Sequence, residues 1–185
     1  ERRVSPWAVC HRHVLFPLAC CVLSWERAIK KYAVDGERIA DLAHGVPQEA
    51  IREENRTLWM SGAHPGSTTG TVEMLLEHLI DVGVQVATAV VDLTNGRKPA
   101  STPDFSGHQP GGGRGVQVVE DFQVFVGDFA ATLAEDIGDP RSRLTLAHRW
   151  LGELTAHHWL CLAVQHQRAH RRQMEAFVGG LGTRD

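Results

Sequence analysis

The sequence predicts an all-α protein, a four-helix bundle with one long crossover connection. Three observations carry that prediction. Apolar residues recur at helical spacing in four long stretches, no stretch alternates convincingly at period two, and the longest run of chain breakers, residues 97–115, separates the second stretch from the third. In bundles of this kind, metal and ligand sites are built between facing helices.

Length and composition agree with a single domain. A chain of 185 residues can bury a real core, and 43% hydrophobic with 22% charged residues is ordinary for a globular protein. A net charge of −3 and a pI near 6.4 exclude general nucleic-acid binding, which needs a basic field. Of the four cysteines, Cys10, Cys20 and Cys21 crowd the first 21 residues and Cys161 stands alone. That is neither a disulfide framework nor a zinc-ribbon spacing, and the expectation is a reducing, cytoplasmic setting with no membrane partner.

Residues 1–24 read as an N-terminal extension outside the bundle, which occupies 25–180. Arg2, Arg3, Arg12 and His13 precede an apolar run, Val14 to Leu23, interrupted by Pro17 and too short to span a bilayer. The layout is similar to a signal peptide, but no clear small-x-small cleavage site follows. An arm, a targeting segment and a docked helix all remain open, and no chemistry is assigned here.

The first bundle helix starts at Ser24, a good cap, with Ala28, Ile29, Tyr32, Ile39 and Leu42 on its apolar face. His44-Gly45 ends it, Gly45 suiting a left-handed terminal residue. Pro47 to Asn55 reads as a short helix and Ser61 to Gly70 as a loop. The second long helix runs from about Thr71 to Leu93, apolar at Val72, Leu75, Leu76, Leu79, Val82, Val86 and Val90. His78 stands about 90° from the centre of that stripe, at its edge, where a ring can point obliquely inward or into solvent.

Thr94-Asn-Gly96 closes this helix. Residues 97–115 read as a functional loop or a mobile one. Gly111 to Gly115 superficially suggests a phosphate cradle, but no P-loop Lys-Ser/Thr and no preceding strand accompany it, so it reads as a flexible connection. The third helix, from about Val116 to Asp136, turns Val119, Phe122, Phe125, Val126 and Phe129 inward, and Gly138-Asp-Pro140 stops it. After Leu144 to Leu154 the last helix begins with Thr155 as cap and ends at Gly179-Gly180.

The last helix is the most informative. Trp159, Ala163, His166, His170, Met174 and Phe177 follow one another at steps of 4, 3, 4, 4 and 3, the seam of a helix packed on other helices. Arg168, Arg171, Arg172 and Glu175 fall outside it. Two imidazoles therefore sit where the pattern asks for leucine, which is costly unless each ring finds a partner. With 11 histidines in the chain, chance alone supplies about 0.6 pairs at i,i+4 spacing, so the spacing by itself says little. The seam position adds weight, because one shared metal ion would satisfy both rings. Satisfied core histidines are the alternative.

The run Gly152-Glu-Leu-Thr-Ala-His-His-Trp159, followed by His166-Gln-Arg-Ala-His170-Arg-Arg-Gln173, resembles the last helix of the DinB-like superfamily of metal-binding four-helix bundles. That helix typically opens on G-x-L-T-x-x-x-W and carries H-x-x-x-H followed by x-x-Q. Thr71-Val-Glu-Met-Leu-Leu-Glu-His78-Leu is similar to the family's second helix, which supplies the first histidine. The resemblance spans roughly Trp25 to Phe177. It departs from the family at Ala169, where many members carry a further histidine before the last ligand.

The resemblance implies a divalent metal ion held by His78, His166 and His170, with zinc as the first expectation and nickel or iron as alternatives. It also implies a metal-dependent transferase using a low-molecular-weight thiol and a small-molecule substrate, possibilities the family contains beside members of no established activity. A homodimer is a further implication. The alternative is a non-catalytic metal-binding bundle with a structural or interaction role. Asp81, at i+3 from His78, could orient that imidazole, and Gln173 could line the pocket. Cys161 lies about 140° round the helix from His166, so it reads as a packing residue rather than a nucleophile paired with it.

Overall fold

A computed structural model of the chain describes residues 16–58, 69–105 and 113–181. Helix α1 spans Phe16–Cys21, α2 Trp25–His44, α3 Val72–Thr94, α4 Gln117–Glu135 and α5 Ala156–Leu181. Two strands, β1 (Thr145–His148) and β2 (Gly152–Thr155), precede α5, and 3-10 turns occupy Gln48–Arg52 and Arg56–Leu58. The protein is mostly helical, as expected, with a small antiparallel sheet that was not. The Ser61–Gly70 loop, apart from its last two residues, lies outside the described residues, as do His64, Gly111 and Gly112.

The long helices begin where the caps stand. Ser24 Oγ accepts the Arg27 N–H at 3.4 Å, Thr71 Oγ1 accepts the Met74 N–H at 3.0 Å and Thr155 Oγ1 accepts the His158 N–H at 3.4 Å. Two expected ends are corrected. Gly45 keeps a right-handed φ of −79°, because α2 closes through a tight turn instead of a left-handed cap. Gly179 and Gly180 are carried inside α5, which continues to Leu181.

Contacts along the helices fix their directions. Trp25 stacks on His157 and Asp35 pairs with Arg171, so α2 and α5 run parallel. Glu73 reaches the Gly115 N–H, and further along α3 the Asp139 N–H reaches the Thr94 carbonyl just past the end of α4. Hence α3 and α4 also run parallel, which demands the long connection over residues 97–115. Tyr32 stacks on Phe129 while His44 meets Gln123, so α2 and α4 are antiparallel.

The expected stripes form the core. Val72, Leu75, Leu76, Leu79, Val82, Val86 and Val90 of α3 are buried, as are Phe122, Phe125, Val126 and Phe129 of α4. Among the described residues α3 alone is long and apolar enough to cross a membrane (mean hydropathy 1.5), and 61% of that window is buried inside the protein. A core helix enclosed by others passes the same test.

Two expectations are corrected. Leu144 to Leu154 carries a hairpin in which Leu146 faces Leu154 and both are buried. Four residues per strand give only two inward positions, too short a period-two signal to read before the fold. The second concerns only the described part of the N-terminal stretch, since residues 1–15 lie outside the described residues. Phe16 and Cys20 are 3% and 1% exposed and belong to the main core, so α1 is packed on α5, the docked-helix alternative left open for this stretch. Their i,i+4 spacing gives the short helix one apolar face.

Candidate metal centre

Packing of α3 against α5 brings His78, His166 and His170 together. His78 Nε2 lies 3.1 Å from His166 Nε2, and His170 Nε2 lies 3.0 Å from the same atom. The three rings meet edge to face, with interplanar angles of 61°, 69° and 78°. One ring atom from each lies within 4.8 Å of the others, close enough to hold one metal ion. His78 and His170 are buried and His166 is half-buried.

A hydrogen-bond account of this cluster does not close. A neutral imidazole has one donor and one acceptor nitrogen. His166 Nε2 faces two other Nε2 atoms and can donate to, or accept from, only one of them well. The tautomer of His170 is also constrained: Gln173 Oε1, an acceptor, stands 2.6 Å from His170 Nδ1. That nitrogen carries the proton and donates, so Nε2 presents a bare lone pair to the cluster. Nitrogens about 2.0–2.1 Å from a tetrahedral zinc ion are about 3.3 Å apart, and closer in octahedral sites. The observed separations fit a shared cation.

Electrostatics point the same way. Burial, then the neighbouring His170 and His78, hold His166 well below the ordinary imidazole range. Burial and His78 lower His170 to about 4, against a smaller upward pull from Gln173. Both rings are neutral at physiological pH, the form that ligates metals. Asp81 is half-buried one turn on from His78.

The other candidates separate from this cluster. Cys161 is buried, and its hydrogen bond with Cys20, together with burial, drives its thiol upward, so it stays protonated. His157 Nε2 lies 2.8 Å from the Leu23 carbonyl oxygen, and the His158 ring is 6.1 Å from Phe16. His157 thus belongs to the start of the α2–α5 contact, where it also stacks on Trp25, and His158 to the α1–α5 packing. His44 is exposed at the end of α2.

The glycine-rich segment is not merely a connection. The N–H groups of Gly113 and Gly115 donate to Glu73 Oε1 at 2.9 and 2.6 Å, and Arg52 Nε donates to Glu73 Oε2 at 3.1 Å. Burial pushes the Glu73 carboxyl up, but these donors outweigh it and hold it below the usual range. The anion that this glycine turn receives is the protein's own, five residues before His78.

Residues missed in the sequence lie beside the triad. Phe105 sets its ring edge-to-face on His166 at 4.8 Å and also lies 6.1 Å from His148 and 6.2 Å from Trp159. Thr102, Asp104, Phe105, His148, Arg149 and Trp150 line a pocket of about 240 Å³ on its outer side. His148 Nδ1 accepts the N–H groups of Trp150 and Leu151 at 3.2 and 3.1 Å, so its proton is on Nε2. The chain breakers over 97–115 were the only sequence signal for this wall, and the hairpin half had none. Compared with protein families, curated proteins and solved structures, the chain matches none.

Proposed function

We propose that the chain is a DinB-like four-helix bundle that binds one divalent cation through His78, His166 and His170. The observation that carries this reading is the approach of the His78 and His170 Nε2 atoms to 3.1 and 3.0 Å from His166 Nε2, with all three ligand atoms within 4.8 Å of one another. Zinc is the first candidate, and neutral imidazoles also suit nickel and iron. Gln173 orients His170, and Asp81 is assigned the same task for His78.

Three protein ligands leave coordination positions open, the arrangement of catalytic rather than structural sites. Among the described residues no fourth His, Cys, Asp or Glu joins the group, and a pocket lies one aromatic ring away. Both features favour an enzyme, and the resemblance suggests a transferase that uses a low-molecular-weight thiol on a small-molecule electrophile. A cation there would supply Lewis acidity and lower the pKa of a bound thiol or water. The chain's own groups would exclude bulk water, through Phe105 and Trp159, and offer a donor to the substrate through His148 Nε2–H. A structural, non-catalytic metal site is the second reading.

Metal analysis of the purified protein, before and after reconstitution, tests the first claim. No bound metal in either state would end it. A thiol-transfer screen on metal-loaded protein then separates enzyme from structural bundle, and a homodimer is checked by light scattering.

A further inference from the structure

A second site lies on the other side of α5. Along α2, Arg27, Lys30, Lys31 and Val34 follow at helical spacing, and they face Val164, Arg168 and Arg171 of α5 across a groove of about 370 Å³. Five of its eight lining residues are cationic, whereas Lys and Arg make up 19 of the chain's 185 residues. The one acid present, Asp35, is 2.7 Å from Arg171 Nε, and Glu175 holds the same arginine at 2.6 Å. The side chains of Arg27, Lys30, Lys31 and Arg168 form no ion pair among the described residues. With Asp35 and Glu175 both on Arg171, the five cations stand against two carboxylates, which leaves a positive excess at one groove of a chain whose net charge is −3.

Their placement also costs stability. Arg27, Lys30 and Lys31 stand in the first two turns of α2, at the positive end of the helix dipole, where acids are favoured. Arg27 is three and four residues from Lys30 and Lys31, so like charges repel along the same face. A solvated helix face ordinarily mixes both signs. Glu26 in the first turn, four residues before Lys30, and Asp35, four residues after Lys31, offset part of this repulsion, and the balance on the groove-lining face stays positive.

We propose that this groove binds a small anion carrying two or more phosphate charges, of the phosphoanhydride class. Four cations without an ion-pair partner exceed what a single carboxylate neutralises, and the positive excess suits a multiply charged pyrophosphate group. Two guanidinium forks, one on each helix, suit phosphate oxygens bidentately, and the lysines add point charge. The volume falls in the range of small-molecule sites, about 300–1,000 Å³, while Val34, 52% exposed, and buried Val164 supply apolar surface for the body of such a ligand. The site is independent of the histidine triad and does not require it to hold metal.

Titration calorimetry with inorganic pyrophosphate on the full chain tests this. The expected result is saturable binding that weakens as salt rises, and that falls about tenfold or more in Lys30→Glu/Arg168→Glu. Lys98→Glu, which lies outside the groove, should leave it unchanged. Circular dichroism and a cooperative thermal melt confirm that the double variant is folded; if it is not, Lys30→Gln/Arg168→Gln replaces it. No pyrophosphate binding, equal binding by the groove variant, or equal binding of citrate would overturn the proposal. So would tighter, groove-dependent binding of duplex DNA or anionic vesicles, which would assign the groove to a macromolecular polyanion.

Discussion

Gln173 Oε1 lies 2.6 Å from His170 Nδ1, one helical turn further along α5, and this contact decides which ring nitrogen faces the triad. With the proton held on Nδ1, the Nε2 lone pair is directed at His166 and His78. Replacing Gln173 by Leu releases the ring and should weaken metal affinity about 10–100-fold. Gln173→Glu keeps an acceptor and should retain it. Competition against a fluorescent chelator reads the difference, and equal affinities for wild type and Gln173→Leu would refute the positioning role.

Loss of any one triad histidine should reduce metal retention sharply. His78→Ala, His166→Ala and His170→Ala are expected to elute with little metal, whereas His157→Ala and His158→Ala should match wild type. In the loaded protein, chelation should lower Tm, because binding free energy adds to folding free energy. A Tm indifferent to chelator would count against the site.

Metal-free protein should lose stability on acidification, and the sign follows from the buried rings. Burial keeps His170 at about 4 and His166 well below its ordinary value in the folded chain, while both titrate near 6.5 when unfolded. The unfolded state therefore takes up protons first. Stability is complete above about pH 6.5 and falls as pH drops toward 4, by on the order of 3 kcal/mol from His170 alone. Urea midpoints of chelator-treated protein across that window provide the check, and a flat profile contradicts it.

Gly83 marks a close approach of α3 to α2 and α4. A methyl there would run into the Phe125 ring and lie 2.8 Å from the Tyr32 hydroxyl. Gly83→Ala should cost about 1–3 kcal/mol through overpacking. Metal content should be unaffected, since this face of α3 is turned away from α5. A thermal melt at or above the wild-type Tm would show that the helices can yield.

Phe16 anchors α1 on the core, at 3% exposure. Phe16→Ala should destabilise the protein by about 3 kcal/mol, and a chain starting at Ser24 should melt lower still. Metal retention by the triad is expected to survive in both. Melting unchanged by truncation would restore residues 1–24 to the role of a detachable arm.

Much of this protein is written in its periodicity. The spacing of Ala28 through Leu42, of Val72 through Val90, of Val119 through Phe129 and of Trp159 through Phe177 declares four long helices and their inward faces, because burying apolar surface is a per-residue demand repeated every turn. The same rule placed His166 and His170 on a buried seam. Sequence could not settle His78, which stands at the edge of its stripe; only the approach of α3 to α5 turned that ring inward and set its Nε2 beside His166. Nor could it supply Phe105 and His148, which come from a loop and a hairpin and meet α5 through contacts distant in the chain. Glu73, which carries no signal of its own in the sequence, became the carboxylate that receives the glycine turn, and four cations from two helices became one groove. Local spacing determines which face a residue occupies, but which faces meet is decided by the packing of whole helices, and a site exists only where they do.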